Sequence, residues 1–214
     1  MTVSDTLANS TRAAHDIGLA AWLGGAMFGK FAHNPSLKKI SSHTERGSVA
    51  NAAWNGYNVI NTIGLGAAAL GWGAARLTET HPDNLSGSEQ RLSQAKDGLM
   101  VAALVTGIAS GLQGARLAKQ APDGAVAVET GTQPAPETPA DAARIQRSLG
   151  LLSTLNIASG VALVAVNGIL AQINYSHPSK QRALTRSSPG RGLSPAWAVS
   201  AIATSAAAID QLRR

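Results

Sequence analysis

Two histidines have the side-chain chemistry to bind a cofactor within apolar surroundings. His15 and His33 lie eighteen residues apart, which is five turns of an α-helix, so both would share one helix face with Trp22. Because this spacing corresponds to about 27 Å along the axis, one metal ion cannot bind both imidazoles. Either histidine could be a single axial ligand of haem. The simpler interpretation places both at headgroup level in a membrane.

Asp97 is the acidic candidate, and it stands beside Lys96 just ahead of a long apolar segment. An acid inside a membrane is a candidate functional group, but at the end of a span it can instead form an ion pair. We expect an ion pair with Lys96 or Arg91. The uncharged segments show no nucleophile–base arrangement, phosphate loop or paired carboxylates. The sequence therefore predicts a non-enzymatic protein without a bound cofactor or metal.

Amide side chains recur at helical spacing in two uncharged segments. The first segment carries one narrow stripe: Asn51, Asn55, Asn58 and Thr62. The second carries a similar stripe: Asn156, Asn167 and Asn174. An amide facing lipid would lack a hydrogen-bond partner, so each stripe must face another helix or a wet cavity. We predict that the two stripes face each other. Interhelical hydrogen bonding is the first interpretation, and a polar path for a solute is the alternative.

The elements that position these side chains are four nearly charge-free segments. A helix of a soluble protein carries charges on its wet face about every turn, whereas a membrane span needs ~20 mostly apolar residues. We predict an all-α fold, a four-helix transmembrane bundle over residues 1–175, with spans near 13–32, 49–75, 98–117 and 148–173. A soluble alanine-rich bundle is the alternative. Residues 120–139, rich in Pro, Ala, Thr and Gly, are predicted to form a flexible loop.

The C-terminal part differs from the bundle in composition. Residues 176–193 are predicted to be a basic disordered linker, and residues 194–214 an amphipathic helix lying on the membrane surface. Four basic side chains of the linker are candidates for contact with anionic lipid headgroups: Lys180, Arg182, Arg186 and Arg191. Basic residues are slightly more numerous on the side of the termini, so the positive-inside rule predicts a multi-pass cell-membrane protein with cytoplasmic termini.

The N-terminal third carries a family resemblance. The stretch from His15 to Gly25, then Phe28-Gly29-Lys30 and Asn34-Pro35, resembles the opening of a group of uncharacterised actinobacterial integral membrane proteins. Glu45-Arg46-Gly47 and Asn51-Ala52-Ala53-Trp54-Asn55 continue the likeness. The resemblance covers roughly the first seventy residues and implies a membrane location, four spans and no established activity.

A second resemblance is distant: Trp22-Leu23-Gly24-Gly25 is similar to part of four-span domains grouped near copper-resistance protein D. Copper handling usually uses soft ligands. This chain has no cysteine, and its internal methionines are Met27 and Met100. The scarcity of sulfur ligands argues against a copper role, and the absence of cysteine excludes disulfide or thiol chemistry.

Three functions stay open. The first is a structural or accessory membrane bundle that associates with itself or with a membrane partner. The second is a small carrier or channel-like protein whose amide stripes line a solute path. The third is a haem- or quinone-linked membrane redox protein. The expected partners are the lipid bilayer, anionic headgroups and another membrane protein or a second copy, but no nucleic acid.

Overall fold

Four long α-helices make up most of the described structure. The computed structural model of the chain describes residues 3–77, 80–121 and 125–176. The helices are α1, Val3–Phe28; α2, His43–Leu77; α3, Gly87–Ala118; and α4, Ala140–Ser176. The predicted all-α class is therefore confirmed. The predicted basic linker beyond Ser176, with Lys180, Arg182, Arg186 and Arg191, and the predicted helix 194–214 lie outside the described residues.

The chain between α1 and α2 changes helix type in three steps. Gly29–His33 is π-helical, Asn34–Ser36 forms a single α-helical turn, and Leu37–Lys39 is 3-10 helical. Pro35 lacks the backbone N–H that a continuing α-helix needs, and the chain becomes extended at Ile40 (φ −86°, ψ 132°). The next two long helices begin at serine caps. Ser42 Oγ accepts from the backbone N–H of Glu45, and Ser86 forms a complete capping box with Glu89.

A short hairpin follows α3 where the composition predicted a flexible loop. Strand β1, Val128–Thr130, pairs antiparallel with β2, Gln133–Pro134, with an irregular register. Arg46 fixes it, because its Nη1 donates to the Glu129 carboxylate at 3.0 Å and its Nε donates to the Ile40 carbonyl at 2.7 Å. The expectation of a flexible loop is therefore wrong for 125–139, since a buried arginine on α2 ties this segment to the bundle.

The helices pack as two antiparallel pairs. In the first pair, α1 lies so close to α2 that a Cβ on Gly18 would stand 2.4 Å from the Gly64 carbonyl oxygen. The second pair is α3 with α4. The pairs meet mainly where α1 contacts α4, with Gly160 against Trp22 and Leu23. The order around the bundle is thus α2, α1, α4, α3, with only slight contact between α2 and α3.

The core is small and runs along the bundle axis. It is built from leucines, alanines, two tryptophans, an isoleucine and a methionine, among them Leu19, Trp22, Leu65, Ala68, Trp72, Met100, Ala103, Ile157, Leu163 and Leu170. Many other large apolar side chains point outward, including Ile17, Ile63, Leu70, Val101, Val105, Ile108, Leu112, Leu151, Val161 and Ile169. Apolar side chains therefore cover much of the surface of the bundle as well as filling its core.

Two helices are long and apolar enough to cross a membrane. They are Gly87–Ala118 and Ala140–Ile173, with mean hydropathy of 1.5 and 1.9. Their apolar windows are only 17% and 22% buried within the protein, whereas a core helix of a soluble protein is mostly buried. These helices are therefore candidate membrane spans.

Candidate functional site: a polar cavity at one end of the bundle

A polar cavity of about 280 Å³ lies at the end of the bundle where α1 and α3 begin and α2 and α4 end. All four helices contribute polar or aromatic side chains to its wall: Arg12, His15, Asp16, Trp72, Glu89, Ser93, Lys96 and Asn167. Two of these residues, His15 and Asn167, were candidates in the sequence, and two others, Asp16 and Lys96, adjoin the candidates His15 and Asp97. The fold brings His15 and Asn167 to one cavity and places Asp97 just behind its wall.

Lys96 is the charged group at the centre of this site. Its side chain is only 2% exposed. Its Nζ donates to Asn167 Oδ1 at 2.6 Å and lies 4.0 Å from the centre of the Trp72 ring, which is a cation–π contact. Among the described residues, no carboxylate stands within ion-pair distance of this ammonium. Lys96 therefore keeps N–H groups unused beside the cavity, because an ammonium has three to donate.

Asn167 links the buried cation to an acid on another helix. Its carbonyl oxygen accepts from Lys96, while its amide nitrogen donates to Asp16 Oδ1 at 3.0 Å. An amide suits this position because it is both donor and acceptor. The bridge joins α3, α4 and α1, and it holds the charges of Lys96 and Asp16 on opposite sides of one amide.

Asp97 forms its ion pair with a partner that the sequence did not indicate. Arg76 Nη2 lies 3.1 Å from Asp97 Oδ2, and Trp72 Nε1 donates to Asp97 Oδ1 at 2.8 Å. The predicted pairing with Lys96 or Arg91 is wrong, because adjacent residues project about 100° apart on a helix. Asp97 thus faces α2 and fixes the Trp72 ring, while Lys96 faces the cavity.

His15 is oriented by a backbone carbonyl. Its Nδ1 lies 2.5 Å from the Ala68 carbonyl oxygen, and a carbonyl can only accept, so Nδ1 carries the proton. In the neutral ring Nε2 is then an acceptor, and this atom is buried without a partner among the described residues. The ring centre stands 6.4 Å from that of Trp72. His15 therefore offers a lone pair to the cavity.

Unused hydrogen-bonding capacity is concentrated around this cavity. The buried polar atoms without a partner in the described part of the chain include four from its wall: His15 Nε2, Thr80 Oγ1, Glu89 Oε1 and Ser93 Oγ. Leaving such an atom unsatisfied costs about 1–3 kcal/mol. Proteins keep these groups where a ligand or water completes the bonds. This concentration marks the cavity as the candidate site.

The predicted face-to-face contact of the two amide stripes is wrong. Asn156 donates to the Ala103 carbonyl at 3.0 Å and to Thr106 Oγ1 at 2.8 Å, both on α3. The reason is the pairing of helices: each hairpin packs on itself, so α2 and α4 occupy diagonal positions. The side chain of Asn174, in the last turns of α4, lies outside the described residues.

The first stripe instead faces away from the core. Asn55, Asn58 and Thr62 are exposed on α2, and Asn51 is half-buried and has a partner. The α2 side that contacts α1 carries Tyr57 and Gly64, and the stripe lies about a third of a turn away from it. The amides of α2 are therefore available to a neighbour outside this chain. We call Asn55, Asn58 and Thr62 the outer amide stripe.

His33 stands at the opposite end of the bundle from His15. It belongs to the π-helical segment, and its Nδ1 lies 3.3 Å from Asn34 Oδ1. The structure thus does not bring the two histidines together, as their spacing predicted. Within residues 3–77, 80–121 and 125–176, no group of three or more His, Asp or Glu side chains could hold a metal ion.

Sequence reasoning missed the face of α3 that forms one cavity wall. Glu89, Ser93 and Lys96 follow the spacing i, i+4, i+7, which places them on one side of a helix. This spacing can be seen in the sequence, and it could have predicted a polar face on α3. The contribution of Asp16 was not readable, because it depends on the contact of α1 with Asn167 of α4.

Comparison with protein-family models, with curated proteins and with solved structures finds no match to this chain. The resemblance of the N-terminal third to actinobacterial membrane proteins therefore stays a prediction.

Proposed function

We propose that this chain is an integral membrane protein whose four helices cross the bilayer, and that it acts as a structural or accessory bundle by associating with a second copy of itself. The membrane part of the proposal is supported by the outward apolar side chains and by the low burial of α3 and α4. The association is supported by one observation, the exposed position of the outer amide stripe.

The distribution of charge agrees with a membrane orientation along the bundle axis. Charged side chains gather at the two ends: Asp16, Arg76 and Lys96 at the cavity end, and Arg46, Glu129 and Asp141 at the hairpin end. Between these ends, 17–29, 49–75, 98–115 and 148–176 contain no Asp, Glu, Lys or Arg. Such a neutral middle zone with polar ends is what a hydrocarbon layer between two aqueous surfaces requires.

The outer amide stripe then needs a partner. In hydrocarbon an exposed amide has no water to bond, and helix association in membranes is driven by close packing and interhelical hydrogen bonds. Copies of a membrane protein share one orientation, so a two-fold axis along the membrane normal would place Asn55 and Asn58 opposite their own counterparts. An amide is donor and acceptor at once, so the stripe is complementary to itself.

The backbone next to the stripe allows a second helix to approach. Gly66 and Gly73 continue the line of the outer amide stripe along α2, and a Cβ at either would meet nothing within 4 Å. Small residues at such positions permit close contact between membrane helices. The stripe and the two glycines together form one face of α2 suited to a parallel copy of α2.

Self-association is tested by energy transfer between donor- and acceptor-labelled copies in liposomes. The variant Asn55→Leu/Asn58→Leu removes four amides across a two-fold interface. With one interhelical bond of about 0.6 kcal/mol for each of the four amides, the loss is about 2.4 kcal/mol, or about a 50-fold larger dissociation constant. Ser159→Leu is the matched control, because the Ser159 hydroxyl is already satisfied by the Leu155 carbonyl of its own helix at 2.9 Å.

Two results would contradict the proposal. Equal energy transfer in the double variant and in Ser159→Leu would show that the stripe does not hold copies together. Release of the chain from isolated membranes by alkaline carbonate without detergent would show that the helices do not cross the bilayer.

A further inference from the structure

We infer that the polar cavity binds a small zwitterion, a molecule with one ammonium and one carboxylate group such as a free amino acid. The inference rests on the geometry of the bundle end and not on association between copies. The cavity wall comes from all four helices of one chain, so a single copy contains the complete site.

Several buried polar side chains around the cavity have hydrogen-bonding atoms that no described residue contacts. Ser93 is fully buried and Lys96 is 2% exposed, and Glu89 and His15 are 6% and 4% exposed. Ser93 Oγ, Glu89 Oε1 and His15 Nε2 have no partner in the described part of the chain. Four such groups reach one cavity whose wall is otherwise mostly apolar, and buried polar groups of this kind are normally completed by a ligand or by water.

The described charges of the wall are of both signs. Among the described residues, two cations, Arg12 and Lys96, and two acids, Asp16 and Glu89, line the cavity, so with neutral His15 the formal charges of these residues cancel. An anion would meet two carboxylates there, and a cation would meet two bases. A ligand with both signs can place each group near its opposite, which is the electrostatic match that gives specificity.

Unused hydrogen-bond donors and acceptors lie at different positions along α3. Lys96 supplies unused N–H donors at one end of its cavity face, and Glu89 Oε1 is an unused acceptor seven residues earlier. At 1.5 Å per residue their Cα atoms are about 10 Å apart along the axis, with Ser93 between them. The carboxylate of the ligand is placed at Lys96 and its ammonium toward Glu89, with the His15 lone pair as a further acceptor.

The size of the cavity limits the ligand. Its volume is about 280 Å³, just below the range of roughly 300–1,000 Å³ that holds drug-sized molecules. A water molecule takes roughly 30 Å³ in the liquid, so the cavity is much larger than one water needs. A short amino acid or a linear amino carboxylate fits this space.

The binding experiment uses the full chain in nanodiscs and two sets of related probes. L-alanine is compared with propionate, which lacks the ammonium, and with ethylamine, which lacks the carboxylate. γ-Aminobutyrate is compared in the same way with butyrate and propylamine. We expect saturable calorimetric binding of at least one zwitterion, with both of its singly charged relatives at least 10-fold weaker, since each leaves one charged contact unmade.

Variants assign the binding to this cavity. Lys96→Met is expected to abolish binding, and Glu89→Gln, which keeps the size of the side chain, is expected to weaken it at least 10-fold. Lys119→Met is the matched control, because Lys119 is exposed at the far end of α3. Ser93→Val occupies cavity space without removing a charge and is expected to weaken binding even if Lys96→Met does not fold.

The outcomes separate this inference from the proposed association. It is overturned if neither zwitterion binds saturably, if propionate or butyrate binds as tightly as its zwitterion, or if Ser93→Val and Glu89→Gln both bind like the unmodified chain. Energy transfer between copies is measured on the same variants. It should be unchanged, because no cavity residue lies on the outer amide stripe.

Discussion

Gly18 lies at a close backbone contact between α1 and α2, and replacing it by alanine tests the packing of the first pair. A Cβ at this position would stand 2.4 Å from the Gly64 carbonyl oxygen, 2.7 Å from the Ala68 nitrogen and 3.1 Å from the Ala67 Cβ. Ordinary contact begins near 3.4 Å, so α1 and α2 must separate by the difference, 3.4 − 2.4, or about 1 Å. The neighbours are mostly backbone atoms, which cannot rotate away.

The separation of α1 from α2 is expected to lower the unfolding free energy. A radial gap of 0.5–1 Å removes roughly a quarter to a half of the attraction of each contact, and overpacking of a close-packed interior costs about 1–3 kcal/mol. Gly24→Ala is the matched control in the same helix, because a Cβ there meets nothing within 4 Å. Both variants gain the same helix propensity over glycine, so their difference in unfolding free energy isolates the steric cost of 1–3 kcal/mol.

The assay is equilibrium unfolding in mixed micelles of dodecylmaltoside and SDS, followed by tryptophan fluorescence and by far-ultraviolet circular dichroism. Gly18→Ala is expected to unfold with an equilibrium constant roughly 5- to 150-fold larger than that of Gly24→Ala. Equal unfolding midpoints for the two variants would refute the reasoning, because they would show that α1 and α2 do not cross at Gly18 and Gly64.

Two further predictions concern the second pair and the hairpin. Asn156→Leu removes both bonds from α4 to α3 and is expected to lower the unfolding free energy by about 0.6–1.7 kcal/mol in the same assay; an unchanged midpoint would contradict the assignment. The backbone N–H of Glu137 and the side chain of His43 hold the pKa of the Glu137 carboxyl below its ordinary 4.5. The bond of Glu137 to His43 therefore contributes to stability above pH 4.5 and is lost as the pH falls through the lowered pKa. Amide hydrogen exchange of residues 128–134, corrected for intrinsic rates, should accelerate as the pH falls below 4.5. Glu137→Gln should remove this pH dependence.

The helices were predictable because their signals are local. Nearly charge-free segments indicated helices, and the described structure contains helices there. The hairpin at 128–134 was missed because its Pro, Thr and Gly content is also typical of a linker. Its order depends on Arg46 and Glu129, which are 83 residues apart, and no local pattern reports such a contact.

The site was predictable only in part, for a related reason. Helical spacing placed the amides in stripes, but both stripes have the same chemistry, so spacing alone did not tell that Asn156 faces α3 and that Asn55 faces outward. The choice of partner depends on Gly18 and Gly64, whose close contact joins α1 to α2. Likewise, the separate residues His15 and Lys96 became parts of one site only through the arrangement of all four helices.

The division of the bundle into two hairpins has a consequence for biogenesis. Each hairpin completes its main interface from consecutive sequence, so α1 and α2 can pair as soon as α2 leaves the ribosome, before both helices of the second hairpin have emerged. The cavity cannot form at that stage, because its wall also needs Ser93 and Asn167. Docking of the second hairpin therefore buries Lys96 and forms the Asn167 bridge to Asp16 in one step.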